Sequence, residues 1–113
     1  MTGHVYFMTN RPNGVLYTGV TSDLQGRAWE HREGLIPGFT KRYNCRRLVW
    51  FERHPNIVLA IRREKKVKRY RRDWKVELLK GLNPDWSDLF DHVYEIDNPF
   101  QPPAGSRWAS DYE

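Results

Sequence analysis

The sequence predicts a small α+β domain, α/β in the broad sense, with a three-stranded antiparallel or mixed sheet flanked by helices in the order β-β-α-β-α-α. Two observations predict this class. Two strand-like runs joined by a turn signal open the chain, and segments with a helical period then precede and follow a third apolar run. The 113 residues, 39% of them apolar, suffice for one modest core, and the chain shows no internal repeat and no second domain.

Each element has a local signal for its beginning or its end. The first strand alternates, and a turn at Asn13-Gly14 joins it to the second. Ser22 and Gln25 match a capping box, which starts a helix that Gly34 ends. The apolar run RLVWFE indicates a buried third strand, and Asn56 is a candidate N-cap for the long helix that follows. The predicted strands cover residues 4–9, 15–21 and 47–52, and the predicted helices cover residues 23–33, 57–80 and 85–92.

The charges divide the chain into a basic part and an acidic part. Residues 1–80 carry 18 of the 19 Lys and Arg against 7 of the 14 acids, a net charge of +11, while residues 81–113 carry −6. A basic domain attracts polyanions, so nucleic acid is the expected partner, and a soluble basic surface without a partner is the alternative. Residues 98–113 are rich in Pro, Gly and Ser, which predicts a tail beyond a domain of residues 1–97.

Composition and terminal sequence indicate a cytoplasmic protein. No apolar run approaches the roughly 20 residues that span a bilayer, and the first residues, MTGHVYFMTN, lack the pattern of a signal peptide, so no membrane partner is expected. Cys45 is the only cysteine, which excludes a disulfide within the chain.

Glu64 is the only acid among the residues from Arg62 to Arg72, eight of which are Lys or Arg. In a continuous helix it lies on the apolar stripe rather than on the solvated face. The stripe consists of Ile57, Ala60, Ile61, Glu64, Val67, Arg71, Trp74 and Leu78. Glu64 is therefore either the partner of a buried Arg or a functional group that needs positive charge around it.

The first helix and the hairpin also place polar residues among apolar ones. Arg27 and His31 share a helix face with apolar neighbours, so Arg27 needs an anion, either Glu64 or a substrate phosphate, while His31 alone could be a hydrogen-bonded core histidine. Tyr6 and Tyr17 share a sheet face if their loop has an even length. A six-residue loop over residues 9–14 places them directly opposite, and a two-residue turn staggers them by four residues. A tyrosine pair alone is also consistent with simple packing.

The ordered set of these residues resembles the GIY-YIG nuclease domain, in particular its small single-domain bacterial members. The resemblance rests on VYF at 5–7, LYTGVT at 16–21, LQGRAWEHREG at 24–34 and IRREKKVKRYRRDWKVELL at 61–79, and it covers roughly residues 3–90. Three motif positions depart from the family pattern, namely His4, Val5 and Thr18, and none of them removes a catalytic group.

The resemblance implies five catalytic residues, Tyr6, Tyr17, Arg27, His31 and Glu64, with Glu64 as the metal ligand. It further implies a metal-dependent endonuclease that hydrolyses phosphodiester bonds, with DNA repair or recombination as the expected setting. One carboxylate suits a single Mg²⁺ or Mn²⁺. Arg27 would hold the scissile phosphate, and Tyr6 or Tyr17, assisted by His31, would take a proton from water if cations lower the tyrosine pKa from about 10. Gly19 and Asn83 are candidate supporting residues.

Two further interpretations remain open at this stage. The chain could be a non-catalytic nucleic-acid-binding module that keeps the nuclease fold, or a protein-interaction domain whose acidic segment covers the basic face and acts as an autoinhibitor. The residues expected to contact the nucleic-acid backbone are Lys41, Arg42, Arg46, Arg47, Arg63, Lys66, Lys68 and Arg71. The choice between DNA and RNA, the substrate structure and the oligomeric state do not follow from the sequence.

Overall fold

One antiparallel sheet organises the chain, with its strands in the order β2-β1-β3. The computed structural model describes residues 2–101 and confirms the α+β class. Its elements are β1 (Gly3–Thr9), β2 (Leu16–Thr21), α1 (Leu24–Arg32), α2 (Phe39–Arg42), β3 (Arg47–His54), α3 (Ile57–Lys68), α4 (Arg72–Leu82) and one turn of 3₁₀ helix at Phe90–His92. The order of the regular elements matches the predicted β-β-α-β-α-α apart from the added short α2, although the last two helices cover other residues than those predicted.

The central strand β1 is buried on both faces, so each face of the sheet has its own core. The core on the α3 and α4 side contains Val5, Phe7, Val49, Trp50, Ala60, Val67, Leu79 and Trp86. The core on the α1 side contains Tyr6, Met8, Leu24, Ala28, Cys45, Leu48, Phe51 and Leu89. Alternation along β1 therefore sends Tyr6 towards α1 and its neighbours Val5 and Phe7 towards α3.

The predicted helix over residues 57–80 is two helices, so that prediction is wrong in its length. α3 ends at Lys68, Arg71 is extended with ψ 157°, and α4 begins at Arg72. A continuous helix would carry the Arg71 charge on its apolar stripe, which is costly without a partner. The break instead leaves the Arg71 side chain 73% exposed beside Asp73.

Side-chain caps explain how several elements begin. Asn56 is confirmed as the N-cap of α3, where its side chain accepts a hydrogen bond from Leu59 N. The capping box at Ser22 is wrong, because Asp23 caps α1 by accepting from Gly26 N. Of the predicted helix over residues 85–92, only the last turn forms, as the 3₁₀ helix at Phe90–His92. Buried Trp86 has a positive φ of 57°, and the Asp88 carboxylate accepts from Leu48 N and Phe90 N, which fixes the segment against β3.

The beginning of the predicted tail is attached to the free edge of β3. Arg53 N donates to Asn98 O, and Phe100 N donates to Arg53 O, both at 2.9 Å. Residues 98–100 therefore extend the sheet beyond the boundary expected at residues 97 and 98, while residues 102–113 of that tail lie outside the described residues. Within residues 2–101, no helix is both long and apolar enough to cross a membrane.

Candidate active site

The hairpin and the helix α1 bring two tyrosine rings and a histidine ring into contact. Tyr6 on β1 pairs with Gly19, and Tyr17 on β2 pairs with Met8, so the two tyrosines are diagonal neighbours on one face. Their ring centroids are 6.3 Å apart, and the His31 ring lies 5.7 Å from Tyr6 and 5.4 Å from Tyr17. The sequence prediction that the tyrosines share a face is confirmed.

The loop between the strands has six residues, but its register differs from both alternatives considered from the sequence. Thr9 remains in β1 opposite Leu16, so the loop covers residues 10–15. The Thr9 hydroxyl donates to Val15 O at 2.6 Å, and Asn10 Oδ1 accepts from Val15 N at 3.1 Å. These side-chain bonds place the two tyrosines two residues apart along the strands, rather than directly opposite or four residues apart.

A buried chain of hydrogen bonds fixes the imidazole. Tyr6 Oη lies 2.9 Å from His31 Nε2, and His31 Nδ1 lies 3.0 Å from Thr40 Oγ1. Two proton arrangements satisfy a neutral imidazole. Either Tyr6 donates to Nε2 and Nδ1 donates to Thr40, or Thr40 donates to Nδ1 and Nε2 donates to Tyr6. A proton can therefore shift along the chain without any heavy atom losing its partner.

Burial keeps the two central groups neutral. It lowers the pKa of His31 to about 4, with the positive charge of Arg27 as a further cause. Burial also raises the pKa of Tyr6 well above its usual value, with Tyr17 acting in the same direction and Arg27 opposing it. In the protein alone, the pKa of Tyr6 is therefore raised and does not meet the condition under which a tyrosine would act as the base.

Arg27 lies at the solvent edge of this cluster. Its charge acts on the pKa of both Tyr6 and His31. The expectation of a buried or half-buried Arg27 is wrong, because its side chain is 44% exposed, and its anion is Glu30, 3.7 Å away, rather than Glu64. An exposed pair at this distance contributes little stability, so the guanidinium can exchange Glu30 for a phosphate at low cost.

Glu64 is buried at 6% exposure on the sheet side of α3. Its charge raises the pKa of Tyr6, so the carboxylate acts on the same cluster from a different helix. Lys68 Nζ forms an ion pair with Oε1 at 2.9 Å, without hydrogen-bond geometry, and the lysine side chain is 54% exposed. A buried carboxylate paired with an exposed lysine can exchange that ammonium for a divalent cation. Among residues 2–101, no three His, Cys, Asp or Glu side chains cluster as a complete metal site, so water and phosphate would supply the remaining ligands.

Gly19 allows the Tyr6 ring to lie across β2. A Cβ at position 19 would come within 2.5 Å of Tyr6 Cζ and Oη. The Tyr6 phenol therefore occupies the space that a side chain at position 19 would need. Gly19 thus supports the site by positioning a candidate catalytic ring.

The residues expected to bind nucleic acid separate into exposed and structural ones. Lys41, Arg42 and Arg46 are exposed near α2, and the side chains of Lys68 and Arg71 are 54% and 73% exposed. Lys66 is half-buried. Two expectations need correction, because each side chain is engaged in the fold. Arg63 is buried against Glu52 at 2.8 Å, and Arg47 Nη2 donates to Trp86 O.

Two further residues have roles that the sequence interpretation assigned differently or missed. Asn83 is buried and donates to Val49 O and Ser87 O while accepting from Ser87 N, so it secures β3 and the turn after α4. Thr40, the partner of His31, belongs to the short helix α2, a segment for which the sequence predicted no regular element. A single Thr two residues after Gly38 carries no local signal for a contact with His31, nine residues earlier.

Comparison with known proteins adds independent information. The family model described as the GIY-YIG catalytic domain matches residues 2–77. A UPF0213 protein of Staphylococcus aureus strain Mu3 is 31% identical over 80 residues, which cover 71% of this chain and 98% of that protein, and the same figures hold for a UPF0213 protein of strain N315. A solution NMR structure of a UPF0213 protein from Bacillus halodurans is 27% identical, covering 82% of this chain and 98% of that one with a TM-score of 0.49.

Proposed function

Because the chain belongs to the GIY-YIG catalytic domain family, we propose that it is a divalent-metal-dependent endonuclease that hydrolyses phosphodiester bonds in DNA. One observation carries the proposal. The buried chain Tyr6–His31–Thr40 ends beside Tyr17, and the charges of Arg27 and Glu64 both act on its phenol. Phosphodiester hydrolysis requires a phosphate clamp, a path for one proton and a means of neutralising new negative charge.

Arg27 is the phosphate clamp in this proposal. Its guanidinium is exposed on one side and electrostatically coupled to Tyr6 and His31 on the other. A phosphate bound there lies at the edge of the ring cluster, where an attacking water can reach it. Substrate charge also offsets that of Arg27 and thereby raises the affinity of His31 for a proton.

Tyr6 and His31 supply the proton path. The Tyr6 hydroxyl takes a proton from the attacking water as it passes its own proton to His31 Nε2, so no free tyrosinate accumulates. Thr40 keeps the imidazole in position by its bond to Nδ1. Tyr17 is half-buried, and within residues 2–101 its hydroxyl has no protein hydrogen-bond partner. That hydroxyl is therefore available to orient the water or the phosphate.

Glu64 is the residue that would hold the cation. A divalent ion bound there supplies positive charge for the phosphoryl and leaving oxygens. Lys68 neutralises the carboxylate in the protein alone and has to move aside when a cation binds.

The test is cleavage of labelled single-stranded, duplex, nicked, flapped and branched DNA, and of RNA, each with Mg²⁺, Mn²⁺ or EDTA. Glu64→Ala purified identically is the control, with its folding checked by circular dichroism. We expect metal-dependent cutting of DNA by the wild type, about 10²-fold or more above the variant, and similar DNA binding by both. Unfolding of Glu64→Ala would instead favour a structural ion pair, and Glu64→Gln then serves as the isosteric test.

The non-catalytic binding module is the competing function. The high pKa of Tyr6 favours it, since a phenol that resists ionisation is a poor base on its own. Wild-type protein that binds nucleic acid and cuts none of the substrates more than Glu64→Ala would establish this alternative. The repair or recombination setting and the cytoplasmic location remain predictions from the resemblance and the sequence.

A further inference from the structure

A row of aromatic rings leads from the candidate active site to the surface along α2. Phe39 stacks on Tyr17 with ring centroids 6.1 Å apart and planes inclined by 29°. Tyr43 follows, 4.7 Å from Phe39. The Arg42 guanidinium lies 5.5 Å over the Tyr43 ring. The row therefore begins at a candidate catalytic tyrosine and ends beneath an exposed cation.

Two of these rings are exposed although the fold offers buried positions to aromatic side chains. Phe39 is 44% exposed and Tyr43 is 42% exposed, whereas Phe7, Phe51 and Trp50 are almost fully buried. Phe39 and Tyr43 nevertheless sit on a fixed support, because Thr40 between them bonds His31 at 3.0 Å. Rigid, exposed rings next to a reaction centre are suited to binding a flat ligand.

The charge around the rings identifies the class of ligand. Lys41 and Arg42 are exposed on the same short helix. Two rings with two cations between them in the sequence match a nucleotide chain, whose bases stack on aromatic faces while its phosphates meet Lys and Arg. An apolar protein partner would need a wider patch that is free of cations.

We propose that Phe39 and Tyr43 stack on an unpaired nucleobase adjacent to the phosphodiester held at Arg27. This inference rests on the proposed function for the position of the phosphate, and it deepens that function by naming the substrate class. Within a duplex both faces of a base are covered by its neighbours, so stacking on Phe39 requires the base to be unpaired and unstacked first. The preferred substrate is therefore a strand, flap or frayed end with at least one free base beside the cut.

Binding in EDTA tests the inference without any cleavage. The probes are an oligothymidylate of about twelve nucleotides, a fully abasic strand of the same length and the corresponding duplex, all at one salt concentration. The first two carry the same phosphates, so their affinity ratio isolates the contribution of the bases. We expect the wild type to bind oligothymidylate about 5- to 100-fold more tightly than the abasic strand. Phe39→Leu with Tyr43→Leu should reduce that ratio to near one and leave affinity for the abasic strand unchanged.

The leucine variant keeps apolar volume on α2, and circular dichroism checks its folding before binding is compared. Tyr94→Ala is the matched control, because Tyr94 is 83% exposed and hydrogen-bonds Gln25 rather than the aromatic row. Equal wild-type affinity for the oligothymidylate and the abasic strand would overturn the inference, as would an equal loss on both probes in the leucine variant. If the protein cleaves DNA but binds oligothymidylate and the abasic strand equally, only the proposed stacking site is refuted. If it prefers oligothymidylate but cleaves no substrate, only the proposed nuclease activity is refuted.

Discussion

The phenol ring of Tyr6 occupies the space that a side chain at position 19 would fill. The two residues face each other across the β1–β2 pair, and a Cβ on Gly19 would lie 2.5 Å from two atoms of the Tyr6 side chain. No rotation of the alanine methyl relieves such a contact. The placement of Tyr6, and with it the bond to His31, therefore depends on the absence of a side chain on β2.

We expect Gly19→Ala to lower the free energy of unfolding by about 1–3 kcal/mol, as overpacking does, and to reduce cleavage by displacing Tyr6 from His31. Urea unfolding and cleavage rates measure the two effects. Gly81→Ala is the matched control, because a Cβ there meets nothing within 4 Å and Ala favours the helix α4. A Gly19→Ala protein as stable and as active as the wild type would contradict the contact. Combining it with Tyr6→Ala should cost less stability than the sum of the two single effects, because the alanine then no longer meets the ring, and should leave no activity.

The low pKa of His31 predicts an acid-sensitive fold. The unfolded imidazole takes up a proton near pH 6.5 and the folded one only near pH 4. Protonation therefore favours the unfolded chain, and the free energy of unfolding should fall as the pH decreases from about 6.5 to about 4. NMR titration of the imidazole protons measures the folded pKa directly. His31→Gln should flatten the pH dependence of unfolding in this window, beyond the effect of His4→Gln, since the pKa of His4 is also lowered. A His31 midpoint near 6.5 would refute the prediction.

The sequence predicted those parts of the fold and site that depend on short-range patterns. Alternation put Tyr6 and Tyr17 on one face, and the helical period placed Glu64 towards the sheet. The sequence did not predict the ion-pair partners of Glu64, Arg27 and Arg63, because those depend on which elements pack together. The exposure of Arg27 was misjudged for the same reason.

Local sequence signals were insufficient to predict where α3 ends or which residue bonds His31. The apolar period continues through residues 69–71, and only the cost of turning the Arg71 charge inward distinguishes one helix from two. Thr40 reaches His31 from an element of four residues, too short to produce a period of its own.

The buried Arg63 should matter for stability rather than for nucleic-acid binding. Its Nε is 2.8 Å from Glu52 Oε2, which His54 also contacts at 2.7 Å. Arg63→Met leaves Glu52 buried without this cation and should cost about 3–5 kcal/mol of unfolding free energy. Arg62→Met, one residue away on the exposed face of α3, should change stability by less than about 0.5 kcal/mol.

Urea unfolding with salt-matched DNA-binding measurements distinguishes the two roles. Under conditions where both proteins are folded, Arg62→Met should weaken DNA binding more than Arg63→Met does. If Arg63→Met instead lost DNA affinity at unchanged stability, the original expectation of a phosphate contact would regain support. The double variant Glu52→Gln with Arg63→Met should be more stable than the sum of the single effects predicts.

Two truncations separate the structural part of the C-terminal segment from any inhibitory one. Asn98 Nδ2 donates to Phe51 O, and the Phe100 ring lies 4.2 Å from the Arg63 guanidinium and 4.7 Å from the His54 ring. Ending the chain after Asp97 removes these contacts together with the two backbone bonds to Arg53. It should therefore cost about 2–4 kcal/mol at roughly 1 kcal/mol per hydrogen bond. Ending it after Gln101 leaves all of them in place.

Truncation after Gln101 is therefore the cleaner test of autoinhibition. Within residues 81–101, Asp97 forms an ion pair with Arg53 and Glu95 forms one with His92, each at 2.9 Å. Neither acid is paired with a basic residue of α3. We expect DNA affinity to remain unchanged after this truncation, measured at low salt where any masking by acidic residues is strongest. A clear gain in affinity at unchanged stability would show instead that residues 102–113 compete with nucleic acid for the basic face.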